Sequence, residues 1–468
     1  MTAGGRVIVA RVGTLVVALG IWFCPVPEGL TPTAWRLFAI FASTIFAVIA
    51  GALPILTAAM LGLAAAVLSR TLTPEQAYAG FANPTILLIV TAFLVARAVV
   101  KCGLGERFGH AVVRRFGRST LGLAYSVFVV DGIIAPAFPS STARAGVLYP
   151  LVEGLAEATG ARPGDPGRRR LGGFLMFSGM TSLSLSSALW LTAMVANPIG
   201  AAMARQRGVN IEFGPWLLAA SVPTLAAMVL LPYLLYRVLS PEVKETPGAP
   251  EAARRALAAL GPLTRSEKIV TATFVGMVVL WGLAGPFHLD STAIALLGLS
   301  VFLITGVLTL GDLAGEGDVL VTFLWFAALY SLSAQLDQLG FMGYLGQHLA
   351  GALGGLPWIP AFLLLMIAYV LLHYLFVSQT AHVLALFGVF LGVGIKLGVP
   401  SGLLAFQLLF ASNFFSVITP QGSSANLLFT GSGYLSQGEL YRLGALTTVT
   451  SLLVYLLLGT PWLLWVVR

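Results

Sequence analysis

Apolar runs about as long as a membrane is thick constrain this chain more than any other feature. Two clear examples run from Val7 to Cys24 and from Ser291 to Leu310. Each is close to the roughly 20 residues that an α-helix needs to span the hydrocarbon core. Of the 468 residues, 58% are hydrophobic and only 9% are charged, whereas a soluble protein carries about 25% charged residues. The sequence therefore predicts an all-α polytopic membrane protein embedded in a lipid bilayer.

The apolar runs divide into single spans and two longer blocks. The blocks, 119–158 and 357–396, are each long enough to cross twice, but proline, serine, glutamine and threonine interrupt their centres. Irregular backbone within a membrane is tolerated where it lines a protein cavity, so both blocks are predicted to be re-entrant hairpins. The eleven predicted spans cover residues 7–24, 35–52, 54–69, 83–101, 172–200, 215–239, 268–284, 291–310, 319–337, 401–431 and 441–466.

Basic residues are concentrated in some of the segments between the spans. Segment 101–118 holds five lysines and arginines, 159–170 holds four and 240–268 holds five, whereas 338–356 holds none. Because positive loops stay on the cytoplasmic side, this bias predicts a cytoplasmic N-terminus and an outer C-terminus in the inner (plasma) membrane. The bias also explains the net charge of +8. The basic residues form no stripe with interleaved aromatics, so nucleic acid is not expected as a partner.

The two halves of the chain resemble each other at a fixed spacing. At an offset of 237, Gly103 falls on Gly340, and the string Ser186, Ser187, Ala188 falls on Ser423, Ser424, Ala425. The first repeat would begin outside and the second inside, so we expect two inverted repeats, as in secondary transporters with midplane sites at discontinuous helices. The predicted organisation is an N-terminal helix (1–34), a first repeat (35–239), a cytoplasmic linker (240–267) and a second repeat (268–468).

The interrupted centres of the two blocks carry matching polar residues. One reads PSSTARAG and the other VSQTAHV. Prolines precede Ser140, where a helix would begin, and free amide groups at a helix N-terminus favour an anion. Arg144 and His382 follow Ser140 and Ser378 by four residues, on the same helical face, and a guanidinium can bind a carboxylate with two parallel hydrogen bonds. The two tips are predicted to meet and to bind a small polyanion.

Two other interpretations of these residues remain open. Arg144 can instead neutralise Asp131 on the opposite arm of its hairpin, because charges inside a membrane usually pair. Serine and threonine in membrane helices often bond to their own backbone or hold helices together. The sequence does not separate these structural roles from substrate binding.

A second pair of polar stretches reads MTSLSLSSALWLTAMVANP and ASNFFSVITPQGSSANLLFTGSG. Each is too polar for a lipid-facing span and too apolar for a loop. We expect helices that are unwound at their midpoints and complete the anion site. Thr419 and Pro420 interrupt the second stretch, and Ser423 follows. Asn197 and Asn426 are further candidates, with helix capping as the alternative for Asn197.

Signals for other kinds of chemistry are missing from the sequence. The five histidines are scattered, with no carboxylate or cysteine at ligand spacing, and the two cysteines form no disulfide framework. No phosphate-binding G-x-x-x-x-G-K-[ST] motif occurs, and no nucleophile, base and orienting group can be identified. We therefore expect neither an enzyme nor a metal site nor a cofactor.

Several stretches together resemble the divalent anion/sodium symporter family, most closely its citrate/succinate and 2-oxoglutarate/malate exchangers. They include LGLAYSVFVVDGIIAPAFPSSTARAGVLYPLV, HYLFVSQTAHVLALFGVF and ITPQGSSANLLFTGSGY. The resemblance runs over nearly the whole chain and implies eleven spans, two hairpins, a homodimer and an elevator motion. The family's two Ser-Asn-Thr motifs, which hold substrate carboxylates and help to form sodium sites, fall on Ser140, Ser141 and Thr142 and on Ser378, Gln379 and Thr380.

Neither tip keeps the family's asparagine, because Ser141 and Gln379 stand in its place. This weakens the case for sodium as a coupling ion, and Arg144 and His382 would supply positive charge instead. We therefore expect exchange of small dicarboxylates or tricarboxylates. The alternatives are sodium-coupled symport of a dicarboxylate or sulfate, and a channel-like or accessory membrane protein. The candidate substrate residues are Ser140, Ser141, Thr142, Arg144, Ser378, Gln379, Thr380, His382, Thr419, Pro420 and Ser423.

Overall fold

The computed structural model describes residues 3–164, 169–376 and 378–467. Residues 165–168 of the predicted cytoplasmic segment, Val377 at the second tip and the terminal residues lie outside this range. The described residues are mostly helical, and their only β-type pairing is one bridge between Ser119 and Glu245. The all-α prediction is confirmed.

The α-helices follow one another with short connections. Those before the predicted linker are α1 (Ala3–Phe23), α2 (Pro32–Ile49), α3 (Ile55–Leu68), α4 (Pro74–Tyr78), α5 (Pro84–Lys101), α6 (Leu104–Phe116), α7 (Thr120–Ile134), α8 (Ser141–Ala158), α9 (Arg169–Leu189), α10 (Ala196–Arg205) and α11 (Phe213–Leu239). The remaining helices are α12 (Gly248–Leu260), α13 (Arg265–Gly282), α14 (Ala284–Phe287), α15 (Ser291–Ile304), α16 (Leu310–Ala314), α17 (Gly317–Gln338), α18 (Phe341–Ala352), α19 (Trp358–Leu372), α20 (Gln379–His382), α21 (Gly388–Lys396), α22 (Ser401–Phe414), α23 (Asn426–Thr430), α24 (Gln437–Val454) and α25 (Thr460–Val466).

Among the described residues, nine helical segments are long and apolar enough to cross a membrane. Three of them are arms of the interrupted blocks: Thr120–Ala137, Trp358–Leu375 and Gln379–Lys396. Length alone does not separate an arm that crosses from one that turns back. The polytopic prediction is confirmed, and the re-entrant path of the two blocks stays a prediction.

Local sequence rules account for several helix starts. Ser119 caps α7 by accepting a hydrogen bond from the Gly122 amide at 3.1 Å, as expected for a serine before a helix. Gly103 and Gly340 precede α6 and α18 with φ of 73° and 85°, a left-handed conformation that glycine adopts without strain. The shared conformation of these two glycines agrees with the offset at which their sequences match.

Contacts within the chain separate two compact units, each described by itself. The first unit comprises residues 1–90, 199–210 and 314–408, and the second comprises 91–198, 211–313 and 409–468. Each unit takes segments from both predicted repeats. The repeat boundaries, which describe sequence duplication rather than packing, stay predictions.

In the second unit, the predicted linker is folded rather than extended. It contains α12, which the sequence did not predict and which packs on α6. Arg107 of α6 donates to the Glu267 carboxylate at 2.5 Å and to the Gly261 carbonyl at 2.7 Å. Thr246 Oγ1 donates to the carbonyl of Gly117 at 2.8 Å. These contacts fix the linker to α6 and to the residue that follows it.

Candidate functional site

The first tip lies in the second unit, between α7 and α8. A 3₁₀ turn covers Ala135–Ala137, and α8 begins at Ser141. Ser140 has an extended backbone, with φ −132° and ψ 120°, and its side chain accepts a hydrogen bond from the Ala143 amide at 3.2 Å. Ser140 is therefore the N-cap of α8, as its position after the prolines predicts. The amide groups of the first turn of α8 lie at the tip.

Two hydroxyl groups next to this cap contact other segments of the same unit. Ser141 Oγ lies 3.1 Å from Ser187 Oγ near the end of α9, and Thr142 Oγ1 lies 2.8 Å from Ser424 Oγ in the loop after α22. Thr142 and Ser424 are exposed, and Ser141 is half-buried. The structure thus brings the first tip into contact with both polar stretches that the sequence singles out.

Arg144 forms a fully buried ion pair with Asp131. Arg144 Nε lies 2.7 Å from Asp131 Oδ1, and both side chains are 0% exposed. The alignment of these two atoms does not satisfy hydrogen-bond geometry, so the contact between them is an ion pair without a hydrogen bond. Arg144 Nη2 donates to the Leu183 carbonyl at 2.7 Å and to Ser187 Oγ at 2.6 Å, and Nη1 donates to the Ala193 carbonyl at 3.2 Å. The sequence left pairing and substrate contact open, and the structure shows pairing.

These contacts make Arg144 a connection between the hairpin and α9. Its guanidinium is engaged with protein oxygen atoms and offers no open fork to a carboxylate. A buried ion pair is tolerated when its remaining donors and acceptors are hydrogen-bonded, and Asp131 Oδ2 also accepts from Ser186 Oγ at 2.5 Å. The chain of contacts from Asp131 through Arg144 and Ser187 to Ser141 holds the tip against α9.

Both polar stretches are unwound where the sequence predicts. After α9, the backbone is extended at Trp190 and Met194 around a short 3₁₀ turn. After α22, a 3₁₀ turn leads to an extended Thr419. In each break one asparagine amide donates to the carbonyls ten and seven residues earlier. The bonds are Asn197 Nδ2 to Ser187 (2.8 Å) and Trp190 (3.3 Å), and Asn426 Nδ2 to Ser416 (2.7 Å) and Thr419 (3.2 Å).

This shared pattern corrects one predicted equivalence between the halves. The offset of 237 pairs Ser186 with Ser423, but Ser186 lies inside α9 and Ser423 lies in the loop after Thr419. The asparagine bonds instead relate the two breaks at an offset of 229, the spacing between Asn197 and Asn426. The short string Ser-Ser-Ala occurs in both halves at positions with different backbone roles, which explains the wrong alignment.

The predicted residues after α22 form the loop of the second break. Thr419 and Ser423 are buried, and Pro420 is partly exposed. A Cβ at Gly422 would lie 2.5 Å from the Ser416 carbonyl oxygen, so the close approach of these two backbones requires glycine. Asn413, which the sequence analysis did not single out, donates to Asn197 Oδ1 at 2.9 Å and joins the two breaks.

The second tip lies in the first unit and has the same local geometry as the first. Ser378 has φ −141° and ψ 123°, and its side chain accepts from the Ala381 amide at 3.3 Å. Ser378 and Thr380 are half-buried and Gln379 is buried. The short α20 continues into a π-helix, Val383–Phe387. Such π-helical turns are frequent at functional sites, and this one has no counterpart in α8.

His382 lies in an aromatic cluster rather than on the surface of the tip. Its ring centroid is 4.4 Å from that of Tyr369, 5.0 Å from Phe376 and 5.3 Å from His373. The side chain is 0% exposed. The sequence placed His382 on the face of Ser378, and the helical spacing does put it there, but the helix turns that face inward. Tyr369, Phe376 and His373 were not predicted as neighbours.

The described ranges contain no group of three histidine, cysteine, aspartate or glutamate side chains placed to hold a metal ion. Cys24 and Cys102 are free thiols. The first tip is thus built from hydroxyls, amides and a buried ion pair.

Comparison with known proteins places this geometry in a transporter family. Residues 6–468 match the family described as the sodium:sulfate symporter transmembrane region. The chain is 40% identical to YflS of Bacillus subtilis (strain 168) over 96% of this chain and 94% of that protein. It is 38% identical to dicarboxylate transporter 1, chloroplastic, of Spinacia oleracea (98% and 81%) and 30% identical to the L-tartrate/succinate antiporter of Shigella flexneri (96% and 96%).

A solved structure supports the fold independently of close sequence similarity. The YdaH transporter of Alcanivorax borkumensis superimposes with a TM-score of 0.59 at 17% identity, covering 84% of this chain and 88% of that one. The family match extends over nearly the entire sequence, and the family consists of membrane transporters rather than enzymes. This chain belongs to the sodium:sulfate symporter family.

Proposed function

We propose that this protein is a secondary active transporter that exchanges small dicarboxylates, such as succinate, malate or 2-oxoglutarate, across the plasma membrane. Two relatives named as a dicarboxylate transporter and a tartrate/succinate antiporter support this substrate class. The observation that carries the proposal is the first tip, where a capped helix N-terminus and two hydroxyls adjoin the buried Asp131–Arg144 pair.

At the first tip, the anion is bound by the amide groups of α8 together with Ser141 and Thr142. Ser140 contributes indirectly, because its hydroxyl is used as the helix cap. A helix N-terminus favours a negative group by about 0.3–1 kcal/mol, and by up to about 2 kcal/mol when partly buried. Thr419, Pro420 and Ser423 contribute from the second break, whose loop already touches Thr142 through Ser424.

At the second tip, Ser378, Gln379 and Thr380 bind a carboxylate in the same way. The equal cap geometry at Ser140 and Ser378 supports this assignment and the inverted repeat. His382 packs inside its aromatic cluster and supports the tip from behind, without contact to the anion. Its burial makes it a fixed part of the hairpin rather than a mobile ligand.

Arg144 favours exchange over sodium coupling. Its guanidinium binds the carbonyl oxygens of Leu183 and Ala193 and the hydroxyl of Ser187. Neutral oxygens of this kind are the ligands that a hard cation requires, and here a permanent cation already uses them. Asp131 balances the charge of Arg144, so Arg144 acts through Ser187 and Ser141 and not by contact with substrate.

The proposal includes an assembly and an orientation. The protein acts as a homodimer with an elevator motion, the N-terminus is cytoplasmic and the C-terminus is outside. The arginine-rich segments 101–118 and 240–268 support this orientation, because both would be cytoplasmic.

Counterflow in liposomes tests the proposal. Purified protein is reconstituted with internal succinate, malate or buffer, and uptake of labelled succinate is followed with and without a sodium gradient. If the protein is an exchanger, uptake of labelled succinate should depend on the internal dicarboxylate and should saturate as the external concentration rises. Uptake that ignores the internal anion and follows the sodium gradient would refute it. A conductance that does not saturate would indicate a channel.

The family description favours one second candidate, sodium-coupled transport of sulfate or of a dicarboxylate. Competition of sulfate, succinate and citrate against labelled succinate, in sodium and in choline buffers, distinguishes the two. Sulfate competition that needs sodium supports symport. Competition by dicarboxylates in choline supports exchange.

A further inference from the structure

An apolar groove lies in the first unit, and none of the second-tip residues lines it. It has a volume of about 450 Å³ and is formed by α1, α2 and α3, within the roughly 300–1,000 Å³ usual for ligand pockets. The three helices meet closely at one end, where Ala47, Ala52 and Ala58 are buried against Ala10. Toward Trp22 and the end of α3 they leave the groove between them.

The walls of the groove present almost no free polar groups. Thr14 Oγ1 donates to the Ala10 carbonyl at 2.9 Å, and Ser43 and Thr44 donate to the Ile40 carbonyl at 2.9 and 2.8 Å. Hydroxyls bonded to their own helix leave methyl and methylene groups facing the groove. A polar substrate would find no partners there, so the walls select an apolar chain.

The groove opens on a surface that is itself apolar. Leu15, Leu19 and Leu61 line it and are 62%, 55% and 57% exposed. In a membrane protein such side chains face lipid acyl chains. An acyl chain therefore has a direct path into the groove.

The end of the groove at Trp22 carries positive charge. Arg36 lies with its guanidinium 5.5 Å from the centroid of the Trp22 ring, and Trp22 lines the groove. Arg70 follows directly after the lining residue Ser69. Basic residues beside an acyl-binding groove complement an anionic head group.

We propose that this groove is a specific site for an anionic phospholipid, with one acyl chain between α1, α2 and α3 and the phosphate at Arg36 and Arg70. A second copy of this chain fits less well. In a symmetric dimer the same patch meets itself, so a concave groove would face a concave groove and the arginines would face arginines.

Brominated lipids test the acyl site directly. Bromine on an acyl chain quenches the fluorescence of nearby tryptophan. The part of the quenching that is present in the unchanged protein and absent in Trp22→Phe therefore reports lipid in the groove. Phosphatidylglycerol with brominated chains should quench Trp22 in detergent-purified protein at lower mole fraction than brominated phosphatidylcholine. Ala18→Phe or Ala65→Phe, which fill the groove, should remove this quenching. Val16→Phe adds the same ring to an exposed position of α1 outside the groove and should leave it unchanged.

The head-group assignment has its own variant. Arg36→Gln should weaken phosphatidylglycerol binding about fivefold, the effect of one basic residue at an anionic surface, with phosphatidylcholine binding unchanged. Equal loss for both lipids, or quenching that survives both groove-filling variants, would overturn the proposal. So would cross-linking of two chains through the exposed Cys24 in Cys102→Ala protein, because it would place a second copy at the groove.

Discussion

Replacing Arg144 with alanine is expected to destabilise the second unit strongly and to abolish exchange. The substitution leaves the Asp131 carboxylate buried at 0% exposure without its counter-charge. Removing one member of a buried ion pair costs about 3–5 kcal/mol. It also removes the donors that hold the carbonyls of Leu183 and Ala193 and the hydroxyl of Ser187. The tip then loses the contact that fixes Ser141 through Ser187.

A neutral double variant separates stability from positioning. Asp131→Asn with Arg144→Gln removes both charges; asparagine matches aspartate in shape, whereas glutamine is shorter than arginine and reaches only to about the position of its Nε. Because this variant leaves no buried charge without a partner, it avoids the largest cost of Arg144→Ala, and part of the stability should return. Exchange should return only in part, with a raised KM for succinate, since glutamine cannot hold Ser187 and both carbonyls together.

The assay compares the apparent melting temperature in detergent with counterflow in liposomes. Arg207→Ala is the matched control, because it breaks a 2.5 Å pair with Asp337 whose side chains are 17% and 24% exposed. Partly exposed pairs contribute about 1 kcal/mol or less. The reasoning is wrong if Arg144→Ala melts no lower than Arg207→Ala. A double variant with the wild-type KM would reduce Arg144 to a purely structural role.

Three further changes test other parts of the site and its support. Asn197→Ala removes the donor to the buried Ser187 carbonyl, at a cost of about 1–3 kcal/mol, while the Trp190 carbonyl keeps the Ala193 amide; both melting temperature and exchange rate should fall. Gly422→Ala should disrupt the second break, whereas Gly438→Ala, which meets no neighbour within 4 Å, should change neither quantity. Burial raises the pKa of Glu267, but hydrogen bonds from Arg107 and the N-cap threonine outweigh this and lower the pKa overall. A lowered pKa stabilises the fold above the ordinary value of 4.5, and this is lost as pH falls through the folded pKa. Glu267→Gln should therefore flatten the acid loss of melting temperature, and an unchanged pH profile would contradict the assignment.

Local sequence rules were enough to locate the tips and the breaks. Prolines before Ser140 predict a helix cap there; Ser378 was located by its matching motif, and the two caps have nearly equal dihedral angles. Thr419 followed by proline predicts an interruption, and the backbone is extended there. These features depend on neighbours within a few residues, which the sequence states directly.

Side-chain partners across the fold were harder to predict. Asp131 and Arg144 were possible partners in sequence, but only packing decides that the guanidinium also binds Leu183 and Ala193. The inward direction of His382 depends on how its hairpin packs. The register of the second break depends on hydrogen bonds from the Asn426 side-chain amide to backbone carbonyls, which a string match at Ser423 cannot detect.

Restoring the family's asparagine tests why this chain lacks it. If the missing side chain alone prevented sodium coupling, Ser141→Asn would make succinate uptake depend on sodium. We expect otherwise, because Arg144, a permanent cation, already binds the Leu183 and Ala193 carbonyls beside the tip, and the introduced asparagine would add one oxygen without freeing these. Uptake by this variant should stay independent of sodium while its KM rises, since the contact with Ser187 is altered. Sodium-dependent uptake would show that the tip residue, and not the arginine, decides the coupling ion. If the reasoning is right, sodium dependence is expected only when the arginine is also removed. The variant that tests this combines Ser141→Asn with Arg144→Gln and with Asp131→Asn, which keeps the site neutral.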